Sequence, residues 1–563
     1  MQRLLTVFNR KWSGLHEAAY LLGIFAFLSQ ILALVRDRIL AGTFGAGAEL
    51  DIYYAAFRIP DFLYVAVASF VSASVLIPFF IEKLGGAADD EAGRTRARRF
   101  LNTLFTGFAL VMVSLAGIAW LFMPWLSLFV APGFSDSAQE ILVTLSRFLL
   151  LSPILLGISN LFGTVTQSFR QFFVFALSPV LYNAGIILGA VFLVPSFGIT
   201  GVVYGVVLGA FLHLLIQMPA ILHNRFLPKI TGSPDWHEFL RVVRTSFPRT
   251  LALSMTHLVL IVLIAIASRI DEGSIAIFTL AFNLQSVPLS IIGVSYSVAA
   301  FPTLARLFVN GERAQFVEQV VVAAKHIIFW SLPVLALFIV LRAQIVRTIL
   351  GTGRFDWADT RMVAAALALF AVSVVAQSLV LLFVRGYYAA GNTKTPLLVN
   401  VVSSLLIIAA AAGLLFLHKS TTPFLFFIED MLRVSGLSGT SLLMLPLAFS
   451  VGALFNAILL WVFFKRDFGL SIPRLRESFF HSFAGAIFMG FTAHRMLTIF
   501  DDIFDLNTFW GIFLQGFASG AIGILAGVFL LWLLKNKEIL EIWEAFHHRF
   551  WKAEVVAPDQ REL

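Results

Sequence analysis

Long apolar stretches recur along almost the whole 563-residue chain, and they constrain its fold more than any other feature. A helix of about 20 apolar residues spans the roughly 30 Å hydrocarbon core of a bilayer. Charged residues make up 13% of the chain, where a soluble domain has about 25%. The pattern predicts an all-α polytopic membrane protein with about 14 transmembrane helices.

The apolar stretches define where these helices are expected. The first is too long for the apolar core of a signal peptide, and no small-residue cleavage site follows it, so we interpret it as a retained span. The predicted spans lie near residues 17–40, 51–81, 100–130, 139–165, 172–194, 199–222, 242–268, 274–305, 320–349, 361–388, 396–417, 440–464, 479–499 and 510–534.

Lysine and arginine alternate between the connecting loops in the way that sets membrane orientation. Loops 41–50, 131–138 and 195–199 carry none, whereas 82–99 and 223–244 carry several. We therefore expect the first three loops outside, and the last two in the cytoplasm with both termini. The net charge of +8 reports this orientation, so no nucleic-acid partner is expected. Four arginines break the alternation, because the same count puts them outside: Arg342, Arg347, Arg354 and Arg361.

Two short motifs recur six helices apart, which predicts two parallel six-helix lobes with a substrate cavity between them. Chance recurrence of proline in a helical membrane protein is the alternative. The expected parts are an N-terminal lobe at 1–222, a C-terminal lobe at 223–466, extra helices at 467–534 and a cytoplasmic amphipathic tail at 535–563. The paired motifs are Pro179 to Asn183 with Pro396 to Asn400, and Pro78 with Pro302.

Charged residues inside the first two apolar stretches indicate a functional site. Arg36, Asp37 and Arg38 lie in the first stretch and Arg58 in the second. An arginine at the centre of a lipid-exposed helix costs about 2.5 to 3.5 kcal/mol, so such a residue usually faces a polar cavity. The alternative is that Arg36 and Arg38 extend to the nearer membrane surface, and Arg38 is closer to the helix end.

Five stretches resemble, in order and spacing, the MurJ (also called MviN) lipid II flippases of the multidrug/oligosaccharidyl-lipid/polysaccharide exporter superfamily. The resemblance implies alternating access and translocation of the undecaprenyl-linked peptidoglycan precursor, lipid II, from the inner to the outer leaflet of the bacterial cytoplasmic membrane. It implies no covalent chemistry and no cofactor, and we expect a monomer surrounded by membrane lipids. The stretches are SQILALVRDRILAGTFGAGAELDIYYAAFRIPDFL (29–63), APGF (131–134), ALSPVLYN (176–183), GSIAIFTLAFNLQSVPLSIIGVSYSVAAFPTLARL (273–307) and GYYAAGNTKTPLLVN (386–400).

The resemblance also implies a pyrophosphate site. Arg36 and Arg58 stand at basic positions of the family, and Asn283 stands at an arginine position in the other lobe. A guanidinium offers a fork of donors suited to phosphate oxygens, so we predict that these three residues bind the pyrophosphate. For Asn283 a helix-packing amide is an equal alternative.

Three further charged residues are predicted to position this site. Asp37 would hold Arg36 in the empty cavity, where unpaired cations are expensive. Arg38 and Asp61 are the other two, and for Asp61, beside Pro60, we prefer a local role in satisfying freed backbone groups.

The membrane potential is the predicted energy source for moving an anionic cargo outward. The chain has no G-x-x-x-x-G-K-[ST] motif for ATP. Moving a negative charge outward across an inside-negative membrane is favourable by about 2.3 kcal/mol per 100 mV. Asn400 and Ser404, one helical turn apart, form a weak candidate ion site, with helix packing as the preferred interpretation.

The departures from the family leave two other functions open. Gln30 stands where the family often has an arginine, and Arg249 or Arg269 could supply replacement cations. One alternative is an exporter of another lipid-linked oligosaccharide or of drugs within the same superfamily. The other is a non-transporting membrane scaffold.

Overall fold

The computed structural model describes residues 15–68, 70–71, 73–85, 91–469, 473–536 and 538–539. These residues form helices joined by short turns, and no strand occurs among them. In chain order the α-helices are α1 Leu15–Phe44, α2 Ala48–Ala56, α3 Arg58–Leu63, α4 Ala73–Leu84, α5 Glu91–Val130, α6 Asp136–Leu149, α7 Leu151–Ser168, α8 Phe172–Leu188, α9 Val194–Phe197, α10 Ile199–Leu215, α11 Met218–Asn224, α12 Trp236–Ala267, α13 Ser274–Pro288, α14 Ser295–Val309, α15 Arg313–Val340, α16 Arg342–Leu350, α17 Trp357–Ala389, α18 Lys394–Ser420, α19 Thr422–Leu432, α20 Met444–Phe468, α21 Pro473–Asp501 and α22 Phe509–Leu533.

Thirteen helical segments in the described part of the chain are long and apolar enough to span a membrane. The prediction of an all-α polytopic membrane protein is therefore confirmed. The predicted second span, 51–81, differs because it is broken into α2, α3, a π-helical turn at Tyr64–Ala68 and α4. Pro60 accounts for the first break, since it has no N–H to donate to the carbonyl of Ala56 one turn earlier.

Two further π-helical turns interrupt the membrane helices, at Gly189–Leu193 and Leu289–Val294. The turn at Leu289–Val294 precedes Pro302, and the turn at Tyr64–Ala68 precedes Pro78, the prolines paired by the sequence repeat. Such turns often lie near functional sites. The two predicted halves therefore share a local distortion as well as a proline.

The described residues form two compact units, each built from separate segments of the chain. The lobe boundaries predicted from the repeat stay predictions. The first unit comprises the described residues of Met1–Leu284, Ile349–Ala366 and Thr393–Gly452, and the second those of Gln285–Thr348, Leu367–Asn392 and Ala453–Leu563.

Glycines on α8 and α10 let the two backbones approach closely in the first unit. A Cβ on Gly185 would lie 2.4 Å from the Cα of Gly209, and one on Gly189 would lie 2.4 Å from the Cα of Gly205. Lipid supplies no hydrophobic force between helices, so close backbone packing at small residues takes its place. This crossing holds α8, and with it Asn183, in a fixed position.

The second unit packs through aromatic rings at one contact and through small residues at another. Phe316 and Phe464 are fully buried, with ring centroids 6.1 Å apart. Helices α21 and α22 meet where a Cβ on Gly523 would lie 2.9 Å from the Cβ of Ala493. The two C-terminal helices are thus packed against each other through small residues.

Arginines on the predicted outer side bind carbonyl groups at the ends of helices. Arg361 donates from Nε and Nη2 to the Arg433 carbonyl just after α19, at 2.9 and 2.7 Å. Arg342 donates to the carbonyl of Ile339 at the end of α15, at 2.9 Å. Cations are stabilised at helix C-termini, which gives these two exceptions to the charge alternation a structural role. The amphipathic tail predicted at 535–563 lies almost entirely outside the described residues.

Candidate functional site

The centre of the site is an ion pair between neighbours on α1. Arg36 donates from Nε and Nη2 to Oδ1 of Asp37, at 2.9 and 2.8 Å. The Arg36 side chain is 20% exposed and that of Asp37 only 4%. The structure therefore places Arg36 in a half-buried setting with a buried counter-charge, and its position in a polar cavity stays a prediction.

Asn183 on α8 holds the other side of the Arg36 guanidinium. Its Oδ1 accepts from Nη1 of Arg36 at 3.1 Å. Its Nδ2 donates to Oγ of Ser29 at 3.2 Å and to the carbonyl of Pro179 at 3.2 Å. Within the Pro-x-x-x-Asn motif, the Asn183 amide thus bonds the carbonyl of Pro179 one turn earlier. This bond orients the side chain towards Arg36.

Asn283 on α13 completes this chain of contacts. It donates from Nδ2 to Oδ2 of Asp37 at 3.0 Å, so the two carboxylate oxygens serve different partners. Asn283, Asp37, Arg36 and Asn183 consequently form one continuous polar chain across three helices. The pyrophosphate role of Asn283 stays a prediction, but the amide lies against the predicted site.

Arg58 forms a second cationic centre nearby on α3. It donates from Nη2 to Oγ1 of Thr279 on α13 at 3.3 Å. Its Nε is buried without a hydrogen-bond partner among the described residues, as is the hydroxyl of Tyr54. Buried polar groups are normally paired, so these two groups are candidates to bind a polar ligand.

Two of the predicted positioning residues have different surroundings. Arg38 donates from Nη1 to the carbonyl of Ile349, at the end of α16, at 3.1 Å. Asp61 is half-buried on α3, and its backbone N–H donates to the carbonyl of Phe57 at 2.8 Å. Arg38 therefore contacts a helix terminus on a face of α1 that differs from that of Arg36.

The weaker candidates stay predictions. Asn400 and Ser404 are half-buried on α18. Arg249 and Arg269 are both exposed. Among the described residues, no group of three or more His, Cys, Asp or Glu side chains is placed to hold a metal ion.

Sequence reasoning missed two partners of the site, Asn183 and Thr279. Asn183 was identified only as part of a repeat, although its motif recurs in register and an asparagine inside an apolar helix needs a partner. Nothing in the sequence indicates that Thr279 contacts the site, because a threonine in a helix commonly bonds a carbonyl of its own helix. Its partner Arg58 is far away in sequence.

The arrangement is suited to an anionic, phosphate-bearing group. Arg36 has five N–H donors, and its three bonds to Asp37 and Asn183 use one each at Nε, Nη1 and Nη2. Among the described residues this leaves one N–H on each Nη. A ligand can therefore bind Arg36 without first displacing Asp37.

Many membrane-spanning helices that carry half-buried guanidinium groups are typical of a polytopic membrane transporter. The family model described as "Lipid II flippase MurJ" matches residues 40–515, which is most of the chain. The protein belongs to this family. The matched region begins just after Arg36, Asp37 and Arg38, so the roles of these three residues rest on the geometry described above.

Curated relatives agree with this assignment. The chain is 26% identical over 411 residues to "Lipid II flippase MurJ" of Burkholderia cenocepacia, covering 70% of this chain and 76% of the relative. It is 27% identical over 455 residues to "Probable lipid II flippase MurJ" of Bdellovibrio bacteriovorus, covering 80% and 82%.

Solved structures show the same fold. A structure of lipid II flippase MurJ in an inward closed conformation matches with a TM-score of 0.71 at 20% identity, covering 93% of this chain and 100% of that one. An inward-facing multidrug resistance transporter of the MATE family matches with a TM-score of 0.62 at 16% identity, covering 78% and 94%. The fold is thus shared with transporters of the wider superfamily.

Proposed function

We propose that this protein moves lipid II from the inner to the outer leaflet of the bacterial cytoplasmic membrane by alternating access. The observation that carries the proposal is the Arg36 guanidinium, held by Asp37 and Asn183 with donors to spare. Family membership indicates that the cargo is lipid II. The residues around Arg36 are suited to bind its pyrophosphate.

The pyrophosphate binds at Arg36. Charge-assisted bonds from a guanidinium to phosphate oxygens are short and strong, especially where water is largely excluded. Arg58, with its unpaired Nε, is the second cation, and its bond to Thr279 is long at 3.3 Å. Asp37 balances Arg36 whenever the site is empty, so that no bare cation is buried.

Reciprocal caps join the starts of α2 and α13, which lie on the predicted outer side. Asp51 accepts from the backbone N–H groups of Gly273 and Ala276, at 2.8 and 2.7 Å, at the start of α13. Glu272 in turn accepts from the N–H of Ala48 at the start of α2, at 3.0 Å. A carboxylate at a helix N-terminus is stabilised by the unpaired amides and the helix dipole. We propose that these contacts break when cargo is released outward.

Glycines beside the caps bring the backbone close enough for a further contact. Arg354 donates its N–H to the carbonyl of Gly42 at 2.8 Å. Gly353 has a φ of +55°, and a Cβ there would lie 2.2 Å from that same oxygen. Only glycine fits such an approach. The turn therefore belongs to the proposed outer closure.

The direction of transport follows from the charge of the cargo. Outward movement of a pyrophosphate is favoured by an inside-negative potential, at about 2.3 kcal/mol per charge per 100 mV. This proposal needs the positive residues of the site to stay in place while the lipid moves. It also adopts the orientation predicted from the loops, with both termini in the cytoplasm.

Flipping in proteoliposomes tests the function directly. Fluorescent lipid II is loaded in both leaflets, and dithionite then bleaches the outer leaflet. The parent protein is expected to expose the protected lipid, whereas Arg36→Gln is expected to leave it protected. Arg99→Gln, at an exposed position, is the matched control and should resemble the parent. A parent no faster than protein-free liposomes, or one that exports organic cations instead, would contradict the proposal.

A further inference from the structure

A basic concavity of about 450 Å³ lies away from the Arg36 site, in the first unit, between the start of α5 and the loop after α11. Its charged lining consists of three cations, Arg98, Arg225 and Lys229, and one acid, Glu91. The excess of positive charge indicates an anionic ligand. Nothing in the proposed transport cycle uses these residues.

The loop that forms one wall is fixed by hydrogen bonds to α5. Backbone N–H groups of Lys229, Thr231 and Asp235 donate to the side chains of Asn102, Thr106 and Thr103, at 2.8, 3.0 and 3.2 Å. These bonds recur over one turn of α5. The backbone wall of the concavity is therefore built into the fold.

The side chain of Arg98 is also held in place. Arg98 donates from Nε to the carbonyl of Arg225 at 3.0 Å, and its guanidinium lies 5.8 Å from the ring centre of the buried Phe226. Arg94 stacks on the same ring at 5.1 Å. Among the described residues Arg98 commits only its Nε, so both terminal nitrogens can donate to a ligand. This is the preorganised fork that phosphate oxygens require.

Arg225 occupies a backbone position that normally favours glycine. It follows α11 with a φ of +59°, in the left-handed region that ends many helices. Its side chain is exposed and lines the concavity. Glycine would adopt this conformation with less strain, and arginine instead adds a positive charge to the lining of the concavity.

The concavity lies beside the charged first turns of α5. Helix α5 has 40 residues, which at about 1.5 Å per residue is about twice the hydrocarbon thickness. Its first turns carry Arg94, Arg96, Arg98 and Arg99, and its apolar part begins only at Phe100. The charged end therefore projects beyond the hydrocarbon core.

Exposed leucines beside the cations distinguish a lipid from a soluble anion. Leu222 and Leu227 line the same concavity and are 55% and 44% exposed. Cations next to exposed apolar side chains fit a phosphate whose acyl chains continue into the membrane. A free phosphate would gain nothing from the leucines.

We propose that this concavity binds the phosphate of an anionic phospholipid headgroup through Arg98, Arg225 and Lys229. The acyl chains lie against Leu222 and Leu227. The proposal is independent of lipid II transport, because it concerns a resident membrane lipid at a separate place in the first unit.

Native mass spectrometry of the purified full chain tests the site, with phosphatidylglycerol added and phosphatidylcholine as the uncharged comparison. A variant with Arg98→Gln, Arg225→Gln and Lys229→Gln is expected to bind its tightest phosphatidylglycerol at least about tenfold more weakly than the parent. The control carries Arg99→Gln, Arg244→Gln and Arg313→Gln, three exposed arginines on the same predicted side. It should differ from the parent by less than about twofold.

Equal losses in the two triple variants would overturn the proposal, because general surface charge would then explain binding. Lys229→Gln alone is the second variant, since among the described residues Lys229 holds the loop only through its backbone N–H. It should retain the parent's melting temperature and lose part of the affinity. Inorganic phosphate is the second probe. Phosphate could bind the parent and not the triple variant while both proteins retain phosphatidylglycerol equally. The ligand would then be a soluble anion, and the proposal of a lipid would be overturned.

Discussion

The Asn283 amide donates to one oxygen of the Asp37 carboxylate at 3.0 Å, while the other oxygen holds Arg36. The two asparagines of the site thus bracket the ion pair, Asn183 on the arginine and Asn283 on the aspartate. These contacts neutralise the charge of the Arg36 cation and fix its orientation while no cargo is bound.

Replacing Asp37 by asparagine should damage the site while preserving its shape. Arg36 would lose its counter-charge, so we expect lower stability by about 1 to 3 kcal/mol and loss of lipid II flipping. The double variant Arg36→Gln with Asp37→Asn removes both charges and should be more stable than Asp37→Asn alone, yet equally inactive. Thermal unfolding and the proteoliposome assay give the two readouts. An active double variant would contradict a role for the charges.

Asn283→Leu separates ligand binding from helix packing. If Asn283 positions Asp37 and contacts the pyrophosphate, the affinity for lipid II should fall by about 3- to 10-fold, the equivalent of one hydrogen bond. The melting temperature should also fall, because the buried Oδ2 of Asp37 loses its donor. A packing amide would give a lower melting temperature with unchanged affinity. Lipid II titration followed by native mass spectrometry distinguishes them.

Asp51→Asn should loosen the proposed outer closure, because a neutral amide caps a helix N-terminus without the charge. The chain has no cysteine, so a single Ala276→Cys, at a fully buried position, reports opening through a membrane-impermeant maleimide. Labelling from outside should be faster with Asp51→Asn than without it. Glu49→Gln, exposed on the same helix, is the control. Equal labelling rates in the Ala276→Cys protein alone, with Asp51→Asn and with Glu49→Gln would exclude Asp51 from the closure.

Gly205→Ala should destabilise the first unit by about 1 to 3 kcal/mol, the usual cost of overpacking. Its new Cβ would lie 2.7 Å from the Cα of Gly189 and 2.9 Å from the carbonyl of Gly185. Gly117→Ala is the matched control, because nothing lies within 4 Å of its Cβ. The control should be neutral or slightly stabilising. The melting temperatures of both variants are measured in detergent. Equal changes in the two variants would show that the crossing of α8 and α10 tolerates a methyl group.

The fold could be predicted from the sequence because a bilayer sets the length and polarity of each helix. The break in the predicted second span was the exception, although Pro60 supplied its physical cause. Whether a proline kinks a helix or divides it depends on packing, which apolar length does not report.

The site could be predicted only where its residues are adjacent in sequence. Arg36 and Asp37 are neighbours, and their pairing was expected. The contacts of Arg36 with Asn183 and of Arg58 with Thr279 join residues 147 and 221 positions apart. Such contacts follow from how helices pack, and a single sequence holds no direct signal for them.

Complementation tests the central claim most directly. The parent chain and Arg36→Ala are expressed in a bacterium depleted of its own lipid II flippase, with membrane levels of both proteins checked. The account predicts that the parent restores growth and cell shape and that Arg36→Ala does not. Failure of the parent at normal membrane levels would contradict lipid II transport, and rescue by both proteins would contradict the role of Arg36.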